Sequence, residues 1–314
     1  MERLLFGDNQ FFGINHMSEE KARQQAMQFA ELPAVMETLA AARRAGIKAF
    51  MCTTHDRIAE VAEAMRQAPD DWRDFALYPC MPYAHKYANA VTELGYFDAL
   101  RKFLPSEGLL DATLRGGKAA LTGDITGIGK LLIDAEMKPF KGLHTPIIFI
   151  QNVVTDLLLG LGYDDAFRVF AEHVRDRYGA EAGFITMNLP KLLEALEKVG
   201  IENPIVCANV NKIGFRMSGG IEAYRDATRR WPARVIAMSV YASGAIPPAE
   251  AIEWVMNEHY VQSILFGASS ERNIRGTVEL VDRFSRQDDG EDTRDPFPAH
   301  LHVVRDYQPS VGGA

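Results

Sequence analysis

Cysteine is scarce. The three residues Cys52, Cys80 and Cys207, scattered through 314, are too few for a disulfide framework or a zinc cage, and they read as reduced thiols of a cytoplasmic protein. An excess of basic charge is also missing. Against 42 Asp and Glu there are 34 Lys and Arg, and the net charge of −8 offers no field to draw nucleic acid or an anionic membrane surface. No apolar run is long enough to cross a bilayer, because Gln151, Asn152 and Asp156 interrupt the most apolar stretch, 146–161. The first residues reach Asp8 before an apolar segment of signal-peptide length can form. These absences leave a small-molecule ligand as the expected partner, with no nucleic acid and no membrane, and they leave the oligomeric state open.

What is present is ordinary globular material, 47% hydrophobic and 24% charged, in a chain long enough to bury a large core. Strand-length apolar runs at 4–7, 47–52, 75–80, 145–150, 183–187, 204–208, 234–240 and 261–266 alternate with segments of helical period. The helical segments begin near residue 18 and continue at 32–45, 57–67, 91–103, 164–178, 189–199, 221–230, 248–258 and 271–283. Apolar residues run through these strands without alternation, as in a parallel sheet covered by helices on its faces. Eight such units predict an α/β fold, a (β/α)8 TIM barrel. The competing open doubly wound sheet calls for a glycine-rich phosphate turn after an early strand, and Gly7-Asp8-Asn9-Gln10 is not one. The expected organisation is one barrel over 1–284, with an insertion at about 104–144 between strands three and four. A charged linker and C-terminal tail follow over 285–314.

In such a barrel, catalytic groups stand just after the strands. His55, Asp56, His85 and Lys86 are the acid/base candidates there. Asp8, Asn9, Gln10, His16, Gln151, Asn152, Asn188, Asn209, Asn211 and Tyr241 form a polar rim suited to holding an uncharged polar ligand. The plainer role for each amide is to cap a helix or tie a loop. After strands seven and eight, Ser243, Gly244, Gly267, Ser269, Ser270 and Arg272 have the small residues, helix start and guanidinium of a phosphate or cofactor site; a serine N-cap beside a solvated Arg272 is the simpler alternative. His16, His55 and His85 show neither His-x-His nor His-Glu-x-x-His spacing, so a divalent metal has thin support. Lys212 stands where a barrel aldolase would place an imine-forming amine, or else is solvated.

The runs PIVCANVNKIG, VIAMSVYASGAIPPAEAIEWVM and VQSILFGASSERNIRGTVELV resemble the sixth, seventh and eighth strand units of the aldo/keto reductases, and GIKAFMCTTHD resembles that family's second strand. The resemblance is clearest over 184–281. It implies a barrel, NADP as cofactor and an anion site after strand eight. It also implies catalytic positions, at which this chain carries Met51 for the aspartate, Asp56 for the tyrosine and Gln151 or Asn152 for the histidine, with Lys86 near the lysine. At the nicotinamide site Asn188 and Ser239 match, while Met187, Cys207 and Met238 stand in for the family's serine, glutamine and tyrosine. Three functions follow as expectations. The first is an enzyme acting on a polar, phosphorylated or nucleotide-linked metabolite through a non-standard active site. The second is an NADP-dependent oxidoreductase with an unorthodox proton donor. The third is a non-catalytic ligand-binding barrel.

Overall fold

The computed structural model describes residues 1–14, 18–82 and 125–288. Eight strands form one closed, all-parallel ring in chain order: β1 Leu4–Phe6, β2 Ala49–Thr53, β3 Ala76–Met81, β4 Ile147–Ile150, β5 Glu181–Thr186, β6 Ile205–Asn209, β7 Arg234–Met238 and β8 Val261–Phe266. The ring closes where Leu4, Leu5 and Phe6 pair with Ile264, Leu265 and Phe266. Gly7 N donates to Phe266 O at 2.8 Å, and Ser263 Oγ reaches Glu2 O at 2.6 Å, so the seam is tied at both ends. The expected (β/α)8 barrel is the fold observed.

Side-chain alternation divides the strands into two cores. Inside the ring lie Leu5, Ala49, Met51, Ala76, Tyr78, Cys80, Ile147, Phe149, Ile185, Ile205, Cys207 and Ile236. Phe149 fills the centre only because β5 presents Gly183 there, where an added Cβ would lie 2.3 Å from the ring. The outward faces of the strands, with Phe6, Phe50, Ile148, Phe184, Val206, Val235 and Phe266, pack against the helices. All three cysteines are buried and unpaired, and burial pushes each thiol pKa upward.

The helices are α1 Glu19–Gln28, α2 Leu32–Arg44, α3 Asp56–Gln67, the single turn α4 Pro69–Trp72, α5 Ile125–Met137, α6 Asn152–Leu161, α7 Asp165–Tyr178, α8 Leu189–Lys198, α9 Gly220–Arg230, α10 Pro248–Met256 and α11 Glu271–Asp288. Three of them fall outside the expected pattern, of which α4 is only a single turn. Helix α5 lies within the stretch read as an insertion, yet Met137 is buried in the outer core and Ile133 packs on it. Helix α6 continues the apolar run of β4, where no helix was expected. The helix expected at 91–103 lies outside the described residues. Helix α9 is locked to the turn before β8 by a bidentate pair, with Arg225 Nε 3.0 Å from Glu258 Oε2 and Nη2 also on that carboxylate.

Candidate functional site

The mouth of the barrel is built by the residues that end each strand on its inward side. Following the alternation upward from the inner core, these are Gly7, Thr53, Pro82, Gln151, Met187, Asn209, Met238 and Gly267.

On the β1 side, Asp8 is 6% exposed, and its Oδ2 accepts from Thr53 N at 2.7 Å and Thr53 Oγ1 at 2.8 Å. Burial raises its carboxyl pKa, and the two Thr53 bonds oppose the shift only in part. Among the described residues no cation pairs with it. Gln10 is buried beside it, with Nε2 donating to Gly7 O at 2.7 Å. Its Oε1 has no hydrogen-bond partner among the described residues and rests against Gly267, where an added Cβ would lie 2.2 Å away. The packing reason for glycine at 267 is therefore the amide of Gln10. Asn9 is exposed, in the short turn that carries these groups.

The next threonine, Thr54, donates to the carboxylate of Glu136, which is 2% exposed near the end of α5. The two threonines at the end of β2 thus hold two buried carboxyls, one at the mouth of the ring and one in the helical layer. Sequence reasoning missed Glu136, because a lone acid in an apolar helix reads as a solvent-facing residue. His55 caps α3, its Nδ1 accepting from Arg57 N at 2.9 Å, and its ring lies 4.6 Å from that of Phe12. Asp56 is exposed in the first turn of that helix. Met51, at the family's aspartate position, is buried in the barrel interior. His16, His85 and Lys86 lie outside the described residues.

On the opposite side the mouth centres on Met187. Asp156 of α6 accepts from Thr186 Oγ1 at 2.5 Å and from Met187 N at 3.0 Å. Tyr224 Oη donates to Met187 O at 3.1 Å, and Asn209 Nδ2 lies 2.8 Å from the Met187 sulfur and 3.1 Å from Arg216 O. Asn209 is fully buried, and its Oδ1 has no partner among the described residues. A hollow of about 410 Å3 opens here, lined by Met187, Gly214, Arg216, Met217 and Ser218. A larger one of about 660 Å3, between Ile213, Arg225 and Trp254, lies on the outer face among the helices; it contains none of the candidate residues.

Several other rim residues serve local structure. Gln151 takes the N-cap position of α6 and Asn152 its first turn. Asn188 Oδ1 accepts from Lys191 N at 3.3 Å and so caps α8. Asn211 clamps its loop through both the N–H and the C=O of Phe215. Lys212 pairs with Glu250 at 2.7 Å near the surface. Tyr241 Oη lies 2.9 Å from Thr277 Oγ1. After β7 the backbone is left-handed at Ser239, Ala242, Ser243 and Gly244, with φ of 56, 46, 59 and 94°. For the three non-glycine residues this costs roughly 1 kcal/mol or more each. After β8, Ser269 O accepts from Gln28 Nε2 at 2.8 Å, Ser270 Oγ accepts from Asn273 N at 3.3 Å and Arg272 is exposed. Among the described residues no three His, Cys, Asp or Glu side chains converge as a metal site would require, and no helix is long and apolar enough to cross a membrane.

No family model matches the chain, and neither does any curated protein. Solved structures do. Two structures from Pseudomonas aeruginosa, each provisionally assigned as an aldo-keto reductase, superpose with TM-scores of 0.58 and 0.59. Their identities are 13 and 12%; both alignments cover 90% of this chain, with 91 and 90% of the other. The chain folds like an aldo-keto reductase. A glycerol dehydrogenase from Gluconobacter oxydans also aligns over all of this chain and 96% of its own, at 10% identity and a TM-score of 0.51. At such identities the likeness is one of fold. On this reductase-like barrel Asn209, two residues beyond the position read as the glutamine match, is the amide that β6 brings to the mouth.

Proposed function

We propose that the chain is an enzyme that moves a proton at the carbon next to a carbonyl group of a small polar metabolite, with Asp8 as the acid/base group. The observation that carries this reading is the buried Asp8 carboxyl itself. It sits at the mouth of the ring, held on one oxygen by Thr53, with a raised pKa and no cation beside it among the described residues. A buried carboxyl of this kind is costly to the fold, and the upward shift favours its protonated form, as an acid/base group requires. Gln10 and Asn209 each have a buried carbonyl oxygen without a partner among the described residues. Asn209, beside the hollow at Met187, supplies an acceptor for a ligand N–H or O–H, in keeping with a polar, phosphorylated or nucleotide-linked substrate. His55 and Asp56, at the start of α3, remain further acid/base candidates, as do His85 and Lys86, which lie outside the described residues.

A second reading, an NADP-dependent oxidoreductase, is favoured by the reductase-like fold. Some of the residues present suit the cofactor, although Met187, Cys207 and Met238 stand where the family has a serine, a glutamine and a tyrosine. Asn209 Oδ1 would accept from its carboxamide, and Ser270 with Arg272 would meet its phosphate. When bound, the cofactor supplies a hydride; Asp8 would hold the proton that accompanies it.

Two measurements test these readings. Proton NMR in heavy water follows deuterium entry next to the carbonyl of a panel of small hydroxyaldehydes and hydroxyketones. Exchange catalysed by the wild type and reduced at least about a hundredfold in Asp8→Asn is the expected result. Equal exchange by both proteins rejects Asp8 as the acid/base group. Titration with NADPH, followed by nicotinamide fluorescence, examines the second reading. Binding weakened in Arg272→Ala supports it, and absence of binding at millimolar cofactor removes it.

A further inference from the structure

The loop between β6 and α9 is fixed along its length. The buried Asn211 side chain accepts from Phe215 N at 2.7 Å and donates to Phe215 O at 2.9 Å, and buried Asn209 donates to Arg216 O at 3.1 Å. Met217 N donates to Gly214 O and Ser218 N to Met187 O, each at 3.2 Å. Along this loop and its junction with α9 the backbone is left-handed at Gly214, Arg216, Gly219 and Gly220, with φ of 69, 54, 86 and 80°. Glycine adopts such a backbone without steric cost. At 216 a long cationic side chain stands instead, and strain of that kind persists only where the surroundings impose it.

The Arg216 side chain is exposed and lines the hollow of about 410 Å3 at Met187, a volume suited to a small ligand. Met187 and Met217 wall that hollow with apolar surface, and Ser218 adds a hydroxyl. The cations on either side of Arg216 in sequence are paired, Lys212 with Glu250, and Arg225 with Glu222 and Glu258. Arg216 has no carboxylate within ion-pair distance among the described residues. Its guanidinium carbon lies 5.3 Å from the Phe215 ring centroid, a cation–π contact that uses none of its N–H donors.

We propose that Arg216 sets the substrate class of the site: it binds an oxyanion, carboxylate or phosphate, at the end of the substrate away from the carbonyl. The inference rests on the proton-transfer reading above, in which Asp8 works at the β1 side of the mouth. Arg216 stands across the ring, beyond β6. A forked guanidinium on a rigid loop suits such a group, because its donors are arranged before the ligand arrives. Asn209 acts here as a positioning residue, through Arg216 O.

Isothermal titration calorimetry of the full chain with inorganic phosphate, and separately with malonate, tests this. The expected result is binding of at least one ion in the millimolar range. It should weaken at least about tenfold in Arg216→Asn and stay unchanged in Arg230→Asn, whose guanidinium stacks on Trp231 at the far end of α9. The ion bound more tightly tells phosphate from carboxylate. Asparagine tolerates left-handed backbone, so Arg216→Asn should melt no lower than the wild type. Binding of neither ion at about 50 mM, equal binding in Arg216→Asn, or as large a weakening in Arg230→Asn would overturn the proposal. So would a lower melting temperature in Arg216→Asn, which would assign the arginine to the packing of its own loop. Deuterium exchange separates the two readings. Arg216-dependent binding in a chain without exchange keeps the anion site and removes proton transfer, whereas exchange with Arg216-independent binding removes the anion site alone.

Discussion

Asp8 sets a stability against a function. Burial raises its pKa, so the fold retains this proton to a higher pH than the unfolded chain does. Between those two values unfolding releases a proton, and stability falls as pH rises through the window; below the unfolded carboxyl range the effect is absent. The Asp8→Asn variant keeps an oxygen for Thr53 and has no ionisation. It should melt higher than the wild type at neutral pH and equally at acid pH, while losing proton exchange. Scanning calorimetry from acid to neutral pH checks this; equal melting throughout would mean that burial does not penalise the Asp8 charge. Gly267 permits a second test at this scale. Gly267→Ala drives a methyl group into Gln10 and should cost about 1–3 kcal/mol. The cost should shrink in a Gln10→Ala background, because the three atoms nearest the added methyl all belong to that side chain. An equal cost in both backgrounds would trace the glycine requirement to the backbone.

Among the elements, the interior depends on one pairing between neighbouring strands. Phe149 on β4 lies over Gly183 on β5, and the two are in register. Gly183→Ala should destabilise by about 1–3 kcal/mol in urea unfolding, and Phe149→Leu in the same chain should recover part of it. Full stability in Gly183→Ala would show that the ring moves aside freely. The pair between α9 and the turn before β8 is of a different kind. Glu258 is buried while Arg225 reaches solvent, so Glu258→Ala should cost about 2 kcal/mol, less than the 3–5 of a wholly buried pair. A loss below about 0.5 kcal/mol would place that pair with ordinary surface bridges.

At the scale of the molecule, cooperativity rests on closing the ring through its shortest strand. Only Leu4–Phe6 separate β2 from β8, and their loss would expose two strand edges and the apolar interior. Deleting residues 1–6 should therefore abolish the cooperative transition in near-UV circular dichroism while much far-UV signal remains. A sharp transition in the truncated chain would show that the ring reseals without β1. The same closure unites the mouth, for Asp8 follows β1 whereas its donor Thr53 ends β2 and Gly267 follows β8.

The order and type of the strands were legible in the sequence, because a strand buried on both faces must be apolar at every position. The run read at 261–266 is the strand itself, and 204–208 differs from Ile205–Asn209 by one residue at each end. Helix α6 was not legible. Its apolar residues lie on both faces, so it reads as a continuation of β4 rather than as an amphipathic helix. Helix α5 was not legible either, for it runs through Gly127, a residue that reads as a break in a stretch taken for an insertion. The polar rim was visible as a set of residue types after strands. Which members face the mouth was not, since an asparagine that caps a helix and one that awaits a ligand are the same letter. Local sequence determines periodicity, and periodicity determined the barrel. Only the folded ring decided that Asn188 caps α8 while Asn209 is buried with an unpartnered oxygen, and that Glu136 meets Thr54 across 82 residues. Contacts of that kind depend on which strands become neighbours, and no local pattern encodes them.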